Sequence, residues 1–382
     1  MTRKLYDTDS HLQHFQAQVL SCVPCGNTFR VVLDQTAFFP GGGGQACDRG
    51  RLGPSEVLSV SEEKGIIYHT LSRPVPVGRT ISGSIDWAFR FDNMQQHSGE
   101  HILSGIVHAM KGCDNVGFHM NEAFTTVDFN VPFSAQELEE AERLANEVIY
   151  QNIPFRIFYP TPEELSQLTY RSKKELTGPV RLVQAGDQDL CACCAPHVAL
   201  SGEIGMIKIV AAENYKGGVR LTLLCGERAR RHHQEQLLLL RQIGARLSSS
   251  PEQLPEKLEK QLTEKEQLKQ SLAQLSEELI QCRLRELPSD ASTLVLIEPC
   301  LDETGARRLV NSLTASRPGR TAVLLPQKDG SFRYIIGSRS EDLAPLCRKW
   351  NQAFQGRGGG SSQMVQGTVW GDPKEMKRFL EE

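Results

Sequence analysis

Phe29, Val31 and Leu33 alternate with more polar neighbours, the period of two that marks a strand with one buried face. Pro24-Cys25-Gly26-Asn27 reads as the turn before them, and Glu62-Glu63-Lys64-Gly65 as another, ahead of Ile66 to Leu71. Ile81, Gly83, Ile85 and Trp87 alternate again. Short strands with regular turns predict a small β-barrel over residues 1–88. After residue 88 the pattern becomes mixed. Asp92, with Gln95 three residues on, predicts the start of a helix that closes at Lys111-Gly112. Ser134 and Glu137 form a capping-box pattern ahead of Leu138, Ala141, Ala145 and Val148, and Thr161, Pro162 and Glu164 repeat it. Strands are expected at Val127 to Asn130, Arg181 to Gln184, Ile204 to Val210 and Val219 to Leu224. Residues 89–230 therefore read as an α/β domain.

Residues 231–287 read as helical. Leu268, Leu272, Leu275, Leu279 and Cys282 follow a 4-3-4-3 spacing, Leu254, Leu258 and Leu262 extend the stripe, and Ser248-Ser249-Ser250-Pro251 splits the segment in two. The stripe is either a connector closed on itself or a coiled-coil-like linker that pairs two chains. Residues 288–382 alternate strands (Leu294 to Ile297, Ala322 to Leu325, Tyr334 to Ile336) with helices, the last at Lys374 to Leu380, as in a small α/β domain. The expected fold class is α+β, multidomain.

Length and composition bound the partners. The chain has 382 residues, which favours two to four domains, and is 39% hydrophobic and 23% charged, as in soluble globular proteins. No apolar run approaches the roughly 20 residues of a membrane span, and Met1 to Ser10 lacks the apolar stretch of a signal peptide, so a cytoplasmic protein with no membrane contact is expected. The 11 cysteines are odd in number and scattered, which favours reduced thiols. A net charge of −3 gives no global field for nucleic acid and leaves local patches as the means of contact.

Two motifs carry metal chemistry. His97-Ser98-Gly99-Glu100-His101 places two imidazoles on one helix face, about 6 Å apart along the axis. Cys193 and His197 in Cys193-Cys194-Ala195-Pro196-His197 have ligand spacing in a turn. Together they offer His97, His101, Cys193 and His197, an ordinary zinc set, in which Cys191 or Cys194 could replace Cys193. Glu100 is not in the place that a zincin protease requires, directly after the first histidine. His108 lies roughly 10 Å further along the axis than His101, too far to share the ion. Cys22 and Cys25 have no partner pair.

Phe39-Pro40-Gly41-Gly42-Gly43-Gly44-Gln45, followed by Asp48 and Gly50, resembles the Gly-Gly-Gln-x-x-Asp-x-Gly loop of the alanyl-tRNA synthetase editing domain and its free-standing AlaX relatives. Asn93 to Leu103 resembles that family's His-x-x-x-His helix. Cys193 to Val198 with Ser201-Gly202-Glu203-Ile204-Gly205 resembles its Cys-Gly-Gly-Thr-His-Val segment and the Thr-Gly-Glu-Ile-Gly that follows. Gly217-Gly218-Val219-Arg220 and Gly226-Glu227-Arg228-Ala229 extend the match, and Gly358-Gly359-Gly360-Ser361-Ser362 with Gln366-Gly367 resembles the DHH-associated domain that ends the synthetase. The order fits the long AlaX type. Ala195 and Pro196 stand where the family usually has Gly and Thr, and Gly41 where some relatives carry Thr; these departures bear on the choice between serine and glycine. No Asp-His-His occurs, and 88 residues are too few for an ATP-using synthetase core.

The resemblance implies Cys193 as the thiolate ligand, one Zn2+ per chain, and a trans-editing deacylase that acts on tRNA(Ala) mischarged with serine or glycine. It implies a catalytic pocket at Gly43, Gly44 and Gln45. A tRNA-binding C-terminal domain would use Arg357, Gly358, Gly359 and Gly360, with a homodimer through the helical linker or that domain. A site closed by four ligands leaves no room for water, so a ligand is loose, the coordination expands, or the metal positions substrate. The rival readings are editing of Ser-tRNA(Thr) and a non-enzymatic tRNA-binding protein with structural zinc.

Overall fold

The computed structural model describes residues 1–172, 178–287 and 293–381. The chain is α+β and divides into two compact units, Met1–Gln242 and Ile243–Glu382. The first five residues of the expected C-terminal domain, 288–292, lie outside the described residues.

In the first unit six strands close into a barrel: β1 (His14–Cys25), β2 (Thr28–Leu33), β3 (Gly50–Leu52), β4 (Ser55–Glu63), β5 (Ile66–Leu71) and β6 (Thr80–Ile85), in the order β1-β2-β5-β4-β3-β6. Its centre holds Val19, Val31, Leu33, Leu52, Val57, Ile67 and Leu71. The turns are tighter than the sequence reading, because Pro24 and Cys25 extend β1 and Glu62 and Glu63 extend β4. Only Gly26-Asn27 and Lys64-Gly65 turn; Lys64 and Gly65 both take positive φ (50° and 77°), as a two-residue hairpin with right-handed strand twist demands.

Helix α1 (Trp87–Lys111) starts five residues before the expected Asp92. Asp86 is the cap, accepting from Phe89 N–H at 3.2 Å, and Trp87 belongs to the helix rather than to the preceding strand. Asp92 instead pairs with Arg228 at 2.6 Å. Gly112, at φ 61°, ends the helix. From Asn93 to Val107 every residue of α1 is buried, polar ones included. Two of the buried amides find backbone partners: Gln96 donates to Cys225 O and accepts from Cys225 N–H, both at 2.8 Å, and Gln95 donates to Glu203 O at 2.8 Å.

Around α1 lie β7 (Asn115–Met120), β8 (Thr125–Phe129), α2 (Ala135–Gln151), β9 (Phe155–Phe158), β10 (Leu182–Ala185), β11 (Asp189–Ala192), β12 (Ile207–Tyr215) and β13 (Gly218–Cys225). They form one sheet ordered β12-β13-β8-β7 and a second ordered β9-β10-β11. β7, β9 and β11 were not legible as strands, and Ile204 ends a 3-10 turn, Ser201–Ile204, before β12 begins. The Ser134–Glu137 capping box is present and opens α2, which buries Ala141, Ala145, Val148 and Ile149. The Thr161–Glu164 box opens only one turn, Pro162–Leu165.

Helix α3 (Gly226–Leu247) begins in the first unit and ends in the second. The second unit continues with α4 (Leu254–Glu286), β14 (Thr293–Ile297), α5 (Glu303–Ser316), β15 (Arg320–Pro326), β16 (Phe332–Ser338), α6 (Leu343–Ala353), β17 (Arg357–Gly360), β18 (Met364–Val369) and α7 (Pro373–Glu381). Its sheet runs β14-β15-β16-β18-β17. Ile280, outside the leucine stripe, packs with Ala306, Leu309 and Leu313, whereas Leu258, Leu262, Leu268, Leu272 and Leu275 are exposed. The Gly356–Ser362 segment contains the edge strand β17, paired along β18. Among the described residues no helix is long and apolar enough to cross a membrane.

Candidate metal centre

α1 offers His97 and His101 with ring centroids 5.4 Å apart. The turn after β11 brings Cys193 and His197 against them, and the His197 ring lies 4.9 Å from His97 and 4.6 Å from His101. Cys193 Sγ is 3.5 Å from His97 Nε2 and 3.4 Å from His197 Nε2, and all four ligand atoms lie within 4.8 Å of one another. Zn–N bonds of about 2.0–2.1 Å and a Zn–S bond of about 2.3 Å at tetrahedral angles require N···S separations near 3.5 Å, so the set fits zinc.

The outer nitrogens settle which atoms face the centre. His97 Nδ1 is 2.9 Å from Gln45 Oε1, His101 Nδ1 is 2.9 Å from Asp189 Oδ2, and His197 Nδ1 is 3.0 Å from Ser98 Oγ. With each Nδ1–H donated outward, the three Nε2 lone pairs point to one place, the arrangement that orients metal-ligating histidines. Asp189 is itself fixed by Arg171 Nε at 2.7 Å. Burial opposes ionisation of Cys193, yet His97, His197 and His101 outweigh it and hold the thiol well below its usual pKa, toward the ligating thiolate. Burial also pushes His197 down to about 3, which keeps that ring neutral.

Cys191 faces the other side of His101, grouped with Asp189, and burial pushes its thiol up. Cys194 is exposed and is likewise raised by desolvation. Neither joins the four-residue cluster. His108 turns away and meets Cys113 O at 2.8 Å, His119 is exposed on β7, and Cys22 and Cys25 join no metal-binding group among the described residues.

Residues 180–222, which include this turn, match the family model described as the threonyl and alanyl tRNA synthetase second additional domain. The chain is 25% identical to the alanyl-tRNA editing protein AlaX-L of Pyrococcus horikoshii, over 98% of this chain and 96% of that protein. It is 29% identical to the alanine–tRNA ligase of Pyrococcus abyssi and 30% to that of Pyrococcus furiosus, over 96% of this chain and 42% of each ligase. The chain thus spans under half the length of these ligases. Over nearly its whole length it is similar to an alanyl-tRNA editing protein of the AlaX type.

The glycine loop closes over the centre from the barrel. Gly41, Gly42, Gly43 and Gly44 all take positive φ (83°, 136°, 60° and 86°), a run open only to glycine. Gly42 and Gln45 exchange two backbone hydrogen bonds of 3.0 Å, which turns Gln45 inward onto His97. Gln45 is 4% exposed, and because Oε1 serves His97, its Nε2 is left buried without a partner among the described residues. The Gly43 and Gly44 N–H groups meet no acceptor among the described residues.

Arg90 anchors the loop. It is fully buried on α1 and donates to Asp48, to Ser10 O at 3.0 Å and to Ala37 O at 2.6 Å, while Asp48 also accepts from Phe39 N–H at 2.6 Å. One guanidinium so ties the loop to the helix of His97 and His101. The sequence reading missed Arg90, Ser98, Asp189 and Arg171. A period-two signal existed for one of them, since Asp189, Cys191 and Cys193 fall at alternate positions in and just past β11. In the second unit Arg357 and Gly358 to Gly360 lie on β17, with Arg357, Thr368 and Arg333 in register across three strands.

Proposed function

We propose that this protein hydrolyses the aminoacyl ester of tRNA(Ala) mischarged with serine, and secondarily with glycine, at a centre in which His97, His101, Cys193 and His197 hold one Zn2+. The observation that carries the reading is the convergence of three Nε2 atoms and one thiolate beneath a glycine loop that leaves Gln45 Nε2 free. Zinc bound there supplies a Lewis acid, able to polarise a substrate oxygen or a water.

The chain's own groups do the rest. Gln45 orients His97 through Oε1 and offers Nε2 as a donor to the substrate. The Gly43 and Gly44 N–H groups supply donors where charge develops on the ester carbonyl. Arg90 and Asp48 hold these donors in place. Serine is favoured over alanine because its hydroxyl satisfies a buried polar group that alanine leaves unpaired. In the layout we favour, residues 1–88 carry the loop, 89–230 the metal, 231–287 form the helical linker, and 288–382 contact tRNA through Arg357 and Gly358 to Gly360. A second copy would pair through the exposed leucines of α4 or the C-terminal domain, in the cytoplasm.

A second reading, Ser-tRNA(Thr) as cargo, is favoured by one finding: the matched family model is shared by threonyl and alanyl synthetases. Deacylation rates on Ser-tRNA(Ala), Gly-tRNA(Ala), Ser-tRNA(Thr) and Ala-tRNA(Ala) decide the matter. Fastest turnover of Ser-tRNA(Ala), with Ala-tRNA(Ala) spared, is expected. Equal rates on Ser-tRNA(Ala) and Ala-tRNA(Ala) would defeat the editing role, and turnover of none would leave a binding protein with structural metal.

A further inference from the structure

Ile67, His69 and Leu71 point inward from β5 at the strand's period of two, so an imidazole stands in the barrel centre where the pattern calls for an apolar side chain. Both of its nitrogens are paired. Nδ1 lies 3.3 Å from Val31 O, a carbonyl that only an N–H can meet. Nε2 is therefore the acceptor, and the Thr36 hydroxyl donates to it at 2.9 Å. Burial, offset in part by Val31 O, pushes His69 down to about 4, which keeps the ring neutral with Nε2 open to that donor. The Thr36 oxygen in turn accepts from Phe38 N–H at 3.1 Å, and this N–H has no other acceptor among the described residues. One chain of donors and acceptors thus runs from Phe38 N–H through Thr36 and His69 to Val31 O, each bond polarising the next.

The backbone fixed in this way leads straight into the glycine loop. Ala37 O accepts from Arg90, Phe38 N–H donates to Thr36, and Phe39 N–H donates to Asp48. The Phe38 ring meets Phe15 and His69 edge-on, at centroid distances of 5.8 and 5.7 Å. The Phe39 ring meets Tyr6 at 5.6 Å and lies under Gly42, 4.0 Å from where a Cβ would stand. A tilt of Phe38 and Phe39 would carry Gly42 with it, and the two Gly42–Gln45 bonds would pass the shift to Gln45. Arg90 and Asp48 restrain this strut from the side of α1. Thr36 and His69 restrain it from inside the barrel.

We propose that Thr36 and His69 are positioning residues for the deacylation, holding from within the barrel the Phe38-Phe39 strut on which the Gly41 to Gly44 loop stands. The proposal rests on the deacylase reading for its reaction, while the hold on the loop can be measured without that reaction.

The test uses the zinc-loaded full chain, hydrolysis of Ser-tRNA(Ala), and hydrogen exchange of the segment 38–48. Thr36→Val keeps the shape and removes the hydroxyl, which strands both Phe38 N–H and His69 Nε2. Its kcat should fall about 10- to 100-fold with KM within about twofold of wild type. Exchange of 38–48 should quicken about tenfold while β5 exchanges as in wild type. Thr36→Ser, which restores the hydroxyl, should return kcat to within about threefold of wild type. Adding His69→Phe to Thr36→Val should lower kcat little further, because the two residues act through one chain of bonds. If the double variant does not fold, the Val and Ser variants at position 36 decide. A Thr36→Val protein that unfolds at a lower temperature yet keeps wild-type kcat and loop exchange makes the pair a part of the core only and overturns the proposal. So does a Thr36→Ser protein as slow as Thr36→Val. A wild type that hydrolyses no charged tRNA defeats the deacylase reading; faster exchange of 38–48 in Thr36→Val then still supports the hold on the loop, and unchanged exchange overturns it.

Discussion

Two glycine runs look alike in the sequence, and the structure uses them in opposite ways. Gly41 to Gly44 are glycines because of backbone conformation, since all four have positive φ and curl the loop over His97. Gly358 to Gly360 are extended, and what they need is room. A Cβ on Gly358 would come 2.1 Å from Tyr334 Oη, one on Gly360 would come 2.1 Å from Met364 O, and one on Gly359 would meet nothing within 4 Å. Composition therefore says that a backbone must be bare, but not whether for its dihedrals or for its neighbours. The first run covers the His97, His101, Cys193 and His197 cluster. The second lets an edge strand lie flat on the sheet while its outer side stays open.

The largest effect is expected of Gly44→Ala. Gly44 has φ 86°, and its Cβ would sit 2.5 Å from Phe118 Cδ1, so the loop must shift. Displacement of donors by about 1 Å costs on the order of 100-fold in rate, and deacylation should fall by about that much while the metal stays bound. Unchanged activity would make the loop a mere turn. Next in size is Gln45→Ala, which removes both the free Nε2 and the partner of His97 Nδ1; zinc affinity should fall roughly 10- to 100-fold, measured by chelator competition, along with the rate. Full zinc affinity would show that the Gln45–His97 contact does not orient the ligand.

In the second run, Gly358→Ala should destabilise its unit by about 1–3 kcal/mol through overpacking against Tyr334, whereas Gly359→Ala should stay within about 0.5 kcal/mol. Thermal or denaturant unfolding of the pair checks this, and equal costs would mean that conformation rather than space selects glycine there. The smallest effect is expected of Arg357→Ala: tRNA binding weakens modestly, and the slope of log affinity against log salt falls by about one contact's worth, about 0.7–0.9. An unchanged slope takes Arg357 out of the tRNA contact.

What could be read beforehand follows the same division. The four candidate ligands lie in two short segments where helical and turn spacing speak for themselves, so they were legible. Arg90, Asp189 and Ser98 act across 42, 88 and 99 positions of sequence, and no local pattern announces such partners. The β17 strand was invisible because glycine carries neither β-propensity nor an alternating face. The start of α1 was misplaced because Ile81, Gly83 and Ile85 set up an alternation that Trp87 continues by chance, and because a helix buried almost all round shows no amphipathic period. The leucines of α4 fall on a helical repeat, yet Leu258, Leu262, Leu268, Leu272 and Leu275 stay exposed, and the fully buried residue near its end is Ile280, one place off the stripe and next to the partly buried Leu279.

The central claim is that one metal, held by His97, His101, Cys193 and His197, makes this loop and helix a deacylase. Its most direct test strips the metal from the full protein and returns zinc in measured steps, reading bound zinc and hydrolysis of Ser-tRNA(Ala) on the same samples. Activity should rise with zinc and level off at about one ion per chain, with Cys193→Ala binding little and staying inactive while Cys191→Ala follows wild type. Hydrolysis by the stripped protein, or a Cys193→Ala variant as active as wild type without bound metal, would contradict it.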